Sequence, residues 1–209
     1  MYSPYLYTIG DSHAKYGFLS LKNYLPNYNI SITHLGPVLM YSISKDWRSR
    51  IRIRPSKFHH SSSVWFFFGE IDCRVHLLRS DKQVISVSSL AESYVSAVHQ
   101  MSQLLQERSC RISIVGVPPP APPEFIYRDK QFIVSGSCNE RLSVHRQINS
   151  KLKETVDDYG CALHFIDPFI FAARHDGFMH EVASSDGVHI DNHSILAMMI
   201  GKYANCLPC

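Results

Sequence analysis

Five bulky apolar residues in succession, Val64-Trp-Phe-Phe-Phe68, run straight into Gly69-Glu-Ile-Asp72. A strand with one wet face alternates apolar and polar residues. An unbroken run of this bulk belongs instead to a strand buried on both faces, the centre of a parallel sheet packed between helices. The rest of the chain fits that arrangement. Tyr5 to Ile9 ends on Gly10, Asn29 to His34 ends at Gly36-Pro37, Arg111 to Val117 is stopped by Pro118-Pro-Pro120, and Cys161 to Ile166 by Asp167-Pro168. Each reads as a strand followed by a breaker. Ser89-Leu-Ala-Glu92 and Ser137-Cys-Asn-Glu140 read as capping boxes, in which serine and glutamate satisfy free amides at a helix start. After the first, Leu90, Tyr94, Ala97, Val98, Met101, Leu104 and Leu105 share one helical face; after the second come Leu142, Ile148, Leu152 and Val156. A last helix from near Asp191 carries Ile195, Leu196, Met199, Ile200 and Tyr203. The expectation is a three-layer, doubly wound α/β fold with a central five-stranded parallel sheet, residues 1–209 forming one domain. A chain of 209 residues buries about 70% of its unfolded surface, enough for its own core.

Composition removes several classes of function. With 45% apolar and 19% charged residues the chain is not disordered, and no apolar run approaches the roughly 20 residues needed to span a bilayer. The net charge is only +3, and the densest basic stretch, Arg48, Arg50, Arg52, Arg54 and Lys57, reads as a solvated strand or loop edge, so no nucleic-acid partner is expected. Glycine-rich phosphate loops are absent, which argues against nucleotide hydrolysis. The six cysteines show no metal spacing apart from Cys206-Leu-Pro-Cys209, read as a frayed tail. No signal-peptide pattern precedes the first strand, so reduced thiols and a cytoplasmic location are expected. His59-His60 reads as a solvated loop, and His189 and His193 lack a third ligand at a convincing spacing, so neither metal nor cofactor is expected. Pro118 to Gly136 reads as a long loop over one sheet edge, and Arg141, His145 and Arg146 as exposed residues of a helix.

Doubly wound sheets bind ligands at the carboxyl ends of their strands. Three such places here hold polar residues with little packing value: Gly10-Asp11-Ser12-His13, Gly69 to Arg74, and Asp186-Gly-Val-His189 before the last helix. A serine on a strand-to-helix turn sits where free amides favour developing negative charge. A histidine three residues after an aspartate can act as a base that the carboxylate orients. Taken singly, Ser12 reads as a helix cap and Asp186 with His189 as a polar turn; together, at matching strand ends, they point to nucleophilic catalysis.

The combination resembles the SGNH hydrolases, also called the GDSL esterase and lipase superfamily, over nearly the whole chain, through short motifs. Gly10-Asp11-Ser12 looks like the block that carries the nucleophile, Gly36 like the second-block glycine, Gly69 to Asp72 like the third block, and Asp186-x-x-His189 like the fifth. The resemblance implies a flavodoxin-like sheet, catalytic Ser12, Asp186 and His189, and an oxyanion hole from the Ser12 and Gly36 amides. It implies a serine esterase acting on a small-molecule or glycan ester, with removal of acetyl groups from a carbohydrate as the expected reaction. A sugar O-acyltransferase and a non-catalytic glycan-binding or assembly module stand as alternatives. Two positions depart from the pattern. Ile71 stands where the third block carries an asparagine that donates to the oxyanion, and His13 replaces the leucine common after the nucleophile. Substrate-binding groups or a substitute donor are therefore sought among Asp11, Glu70, Asp72, Arg74 and His76, with Arg74 foremost; a salt-bridged turn is the competing reading of Glu70, Asp72 and Arg74. Gly69-Glu-Ile-Asp-Cys-Arg74, with Phe68 before it, also resembles a divergent SGNH branch found near glycan-building enzymes.

Overall fold

A computed structural model describes residues 3–21, 23–79, 86–125 and 133–204, so Cys206 and Cys209 lie outside the described residues. Five strands, β1 (Tyr5–Gly10), β2 (Asn29–His34), β3 (Ser63–Phe67), β4 (Arg111–Val115) and β5 (His164–Ile166), form one sheet in the order β2-β1-β3-β4-β5. Every pairing is parallel, with Tyr7 beside Val64 and Val64 beside Ile112. The order reverses between β1 and β3, so the carboxyl ends of β1, β2 and β3 flank the crevice that such a sheet offers a ligand.

The unbroken run in β3 is explained by its two faces. Val64, Phe66 and Phe68 enter one core with Met40, Ile43 and Trp47 of α2 (Met40–Arg50), Leu90, Tyr94 and Val98 of α3 (Val87–Leu104), and Ile148 and Leu152 of α4 (Cys138–Asp158). Trp65 and Phe67 enter the other, against Phe18 and Leu21 of α1 (Phe18–Leu21), Ala172 of α5 (Phe169–Ala172), and Leu196, Met199 and Ile200 of α6 (His193–Tyr203). Side chains alternate across a strand, so helices on both faces demand apolar residues at every position.

Local chemistry moved several boundaries. The Ser137 and Glu140 capping box closes α4 as the sequence predicts. Helix α3 starts earlier than expected, because Ser86 is its cap and accepts the Ser89 amide at 3.1 Å. Arg48 and Arg50 lie in the last turn of helix α2, not on the strand or loop edge that the sequence predicts. Those arginines, with Arg52, Arg54 and Lys57, are exposed. Residues 118–122 are buried, unlike the surface loop expected of them, while 126–132 lie outside the described residues.

Candidate active site

The turn after β1 is built by three local interactions. Gly10 passes so close to β3 that a Cβ would overlap the Phe67 carbonyl oxygen, and the Asp11 amide donates to that same oxygen at 3.1 Å. Asp11 then caps the short 3₁₀ turn Ser12–Ala14, its carboxylate accepting the His13 amide at 2.9 Å. Thr8, fully buried in β1, donates its hydroxyl to the Ala14 carbonyl at 2.7 Å and ties the far end of the turn to the sheet. Ser12 is thus held, partly exposed, at the carboxyl end of β1.

The loop before α6 brings the other two groups. His189 Nδ1 lies 2.6 Å from Asp186 Oδ2, and Nε2 lies 2.7 Å from Ser12 Oγ, across 177 positions of chain. A carboxylate only accepts, so Nδ1 carries the proton, and Nε2 accepts from the Ser12 hydroxyl. Asp186 Oδ1 is filled by the Val188 and His189 amides at 2.8 and 2.9 Å and by the Ser184 hydroxyl at 3.1 Å. Burial works to raise the Asp186 carboxyl, but the bonds from His189 and these amides outweigh it and hold it well below the ordinary carboxylate range. Tyr16, half-exposed, lays its ring 4.3 Å from that of His189.

Gly36 adopts a positive φ of 78°, the left-handed region open to glycine, on the loop after β2. Among the described residues neither the Ser12 nor the Gly36 amide has a hydrogen-bond partner. The Gly36 loop runs into α2, whose cap residue Leu39 offers no side-chain acceptor. Asp72 supplies it from the segment after β3, accepting the Met40 and Tyr41 amides at 2.8 and 3.3 Å. Burial raises the Asp72 carboxyl to about 6, those amides offset part of the rise, and the Asp11 charge adds to it.

Residues 70–76 are helical, and Asp72–His76 form a π-turn. That geometry sets Glu70 and Arg74 four residues apart on one face, paired at 2.6 Å and buried. Arg74 also donates to the Ile133 carbonyl at 2.5 Å. Of the groups singled out for substrate binding or oxyanion donation, Asp11 therefore supports the nucleophile turn, Asp72 caps α2, Glu70 and Arg74 join each other, and His76 is exposed. Ile71 is half-buried and offers no donor. His193 opens α6 and bonds Ser20 Oγ at 2.6 Å; His189 precedes that helix, so the two do not share a helical face.

Arg141 and His145 require a correction. Both are buried on α4, not exposed; only Arg146 faces solvent. His145 lies 2.7 Å from the Pro118 carbonyl through Nδ1, which is the protonated nitrogen, and Arg141 donates to the Gly136 carbonyl at 2.7 Å. Burial lowers the His145 imidazole to about 4, against the bond to Pro118. A histidine depressed in the folded state and near 6.5 when unfolded leaves stability intact above pH 6.5 and withdraws it as pH falls towards 4. The full loss is about 3 kcal/mol. Urea titrations at pH 7 and 4.5 are expected to show a smaller acid penalty in His145→Gln than in the parent; equal penalties would mean that His145 does not titrate in this window.

No protein-family model matches the sequence, and no curated protein matches it. Solved structures do. A candidate platelet activating factor from Streptococcus pneumonia superposes with a TM-score of 0.66 at 16% identity, over 96% of this chain and 84% of that one. A catalytic mutant of an acetylxylan esterase from Geobacillus stearothermophilus gives 0.60 at 12% identity, over 94% and 92%. A candidate SGNH hydrolase from Slackia heliotrinireducens gives 0.59 at 13%, over 96% and 98%. With its five parallel strands between two helical layers, the chain has the three-layer α/β fold of the SGNH hydrolases.

Proposed function

We propose that this chain, built on the SGNH hydrolase fold, is a serine ester hydrolase that works through an acyl-enzyme. The observation that carries the reading is the hydrogen-bonded line from Ser12 through His189 to Asp186, with the Ser12 and Gly36 amides, which follow β1 and β2, unengaged among the described residues. Ser12 Oγ attacks the acyl carbonyl as its proton passes to His189 Nε2, and Asp186 steadies the imidazolium that forms. Negative charge on the carbonyl oxygen is met by the Ser12 and Gly36 amides. His189 returns the proton to the leaving alcohol; water, deprotonated by the same nitrogen, then releases the acid and frees Ser12. Acetyl groups on a carbohydrate are the favoured substrate class, because the esterase from Geobacillus stearothermophilus with which the fold superposes is an acetylxylan esterase.

Ile71 contributes no side-chain donor to this oxyanion hole. One such donor is worth about 2.7–4 kcal/mol, or 10²–10³ in rate, so turnover is expected to be slow. Initial rates on p-nitrophenyl acetate and acetylated xylan test the reading. The parent is expected to release acetate from both, and Ile71→Asn to raise turnover by up to about 10²-fold with little change in KM. Cleavage of the aryl ester alone would remove the carbohydrate assignment and keep the esterase. No release by either protein would favour a binding module, the reading that Ile71 itself supports.

A further inference from the structure

His13 occupies a position the reaction above does not use, yet both its ring nitrogens are engaged. Nδ1 lies 3.1 Å from Asp11 Oδ1 and Nε2 lies 3.1 Å from the Val188 carbonyl oxygen. Both partners are acceptors. A neutral ring carries one N–H and would turn a lone pair towards the other oxygen, so the geometry calls for an N–H on each nitrogen. Asp11 is 1% exposed, and a protonated His13 is the cation that pairs with it at 3.1 Å. The ring packs 4.6 Å from that of His189.

The Val188 carbonyl belongs to the peptide that leads into His189. Its amide, the His189 N–H, is held by Asp186 Oδ1 at 2.9 Å, and its oxygen is held by His13. One peptide plane is therefore gripped at both ends, once by the acid that orients the imidazole and once by the residue next to Ser12. We propose that doubly protonated His13 is a positioning residue, which locks the nucleophile turn to the His189 loop and makes the reactivity of Ser12 depend on its charge. The proposal rests on the serine-nucleophile reading and adds to it an alkaline limit.

The groups that face His13 set where that limit falls. Burial works against the cation, but the charge and hydrogen bond of Asp11 on its own turn, Glu70 after β3 and the Val188 carbonyl outweigh it and raise the imidazole to about 9. His189 from the loop before α6 packs on its ring, and His145 on α4, itself held neutral, adds no opposing charge near neutral pH. A raised histidine contributes its stabilisation fully below the unfolded value near 6.5 and loses it as pH climbs to 9. Above that pH one of the two bonds is gone.

The rate at which a fluorophosphonate labels Ser12, followed from pH 6 to 10, reads the coupling without a substrate. The parent is expected to lose rate as pH passes about 9; His13→Gln, which can donate to Val188 but carries no charge, should label at least tenfold more slowly at pH 7.5 and show no alkaline fall. A parent rate that keeps rising to pH 10, or a variant with the parent's profile, would overturn the proposal. Nitrogen-15 NMR of the imidazole rings separates this from failure of the nucleophile reading. Both His13 nitrogens should be protonated at pH 7.5 and titrate near 9, whether or not Ser12 reacts; a neutral tautomer at pH 7.5 would also overturn it.

Discussion

Replacing Ser12 by alanine is expected to lower turnover on p-nitrophenyl acetate by about 10⁶-fold while changing stability by less than about 0.5 kcal/mol. The side chain is partly exposed, and its hydroxyl serves His189 rather than the fold. His189→Ala should cost about as much, and the double variant little more than either, because a nucleophile without its base is no better than a base without its nucleophile. Asp186→Asn is expected to cost about 10⁴-fold, since an amide presents the wrong partner to Nδ1. It should also loosen the loop, for Asp186 Oδ1 accepts two amides and the Ser184 hydroxyl. Additive losses across the Ser12 and His189 pair would mean that the two do not act as a unit.

The largest structural effect is expected at Gly10. A methyl group there overlaps the Phe67 carbonyl, a backbone atom in the central strand that cannot swing aside as a flexible side chain would. Gly10→Ala must push β1 from β3 at the start of the nucleophile turn, costing about 3 kcal/mol or more in stability. Displacing Ser12 by an ångström would lower turnover by about 10²-fold in the fraction that still folds. Gly201 supplies the opposite sign. It lies exposed within α6 with open space around its Cβ position, so Gly201→Ala should stabilise by about 0.5–1 kcal/mol. Urea midpoints on the two variants check both expectations; a Gly10→Ala protein as stable as the parent would mean that β1 and β3 are not so closely apposed.

The sheet was legible because its signals are local. Val64 to Phe68 announces a strand covered on both faces, and glycine or proline marks the ends of most of the other strands. The line from Ser12 to Asp186 was legible only through two short motifs whose meaning depends on lying at strand ends. What escaped was non-local or masked by charge. The apolar face of α2, Met40, Ile43 and Trp47, was present at helical spacing, but the arginines in its last turn drew the reading towards a strand or loop edge. Its cap is Asp72, 32 positions away, which no local pattern reveals. Arg141 and His145 were assigned to solvent because charged residues usually are; backbone carbonyls at Gly136 and Pro118 make their burial tolerable. The i, i+4 spacing of Glu70 and Arg74 was a readable signal for the helical turn that joins them.

Intact-protein mass spectrometry after incubation with a fluorophosphonate tests the central claim most directly, because the reagent reacts only with an activated serine. At pH 7.5 a single adduct is expected, mapping by peptide analysis to Ser12, lost in Ser12→Ala and strongly slowed in His189→Ala. An unmodified parent, or an adduct that persists in Ser12→Ala, would contradict the account.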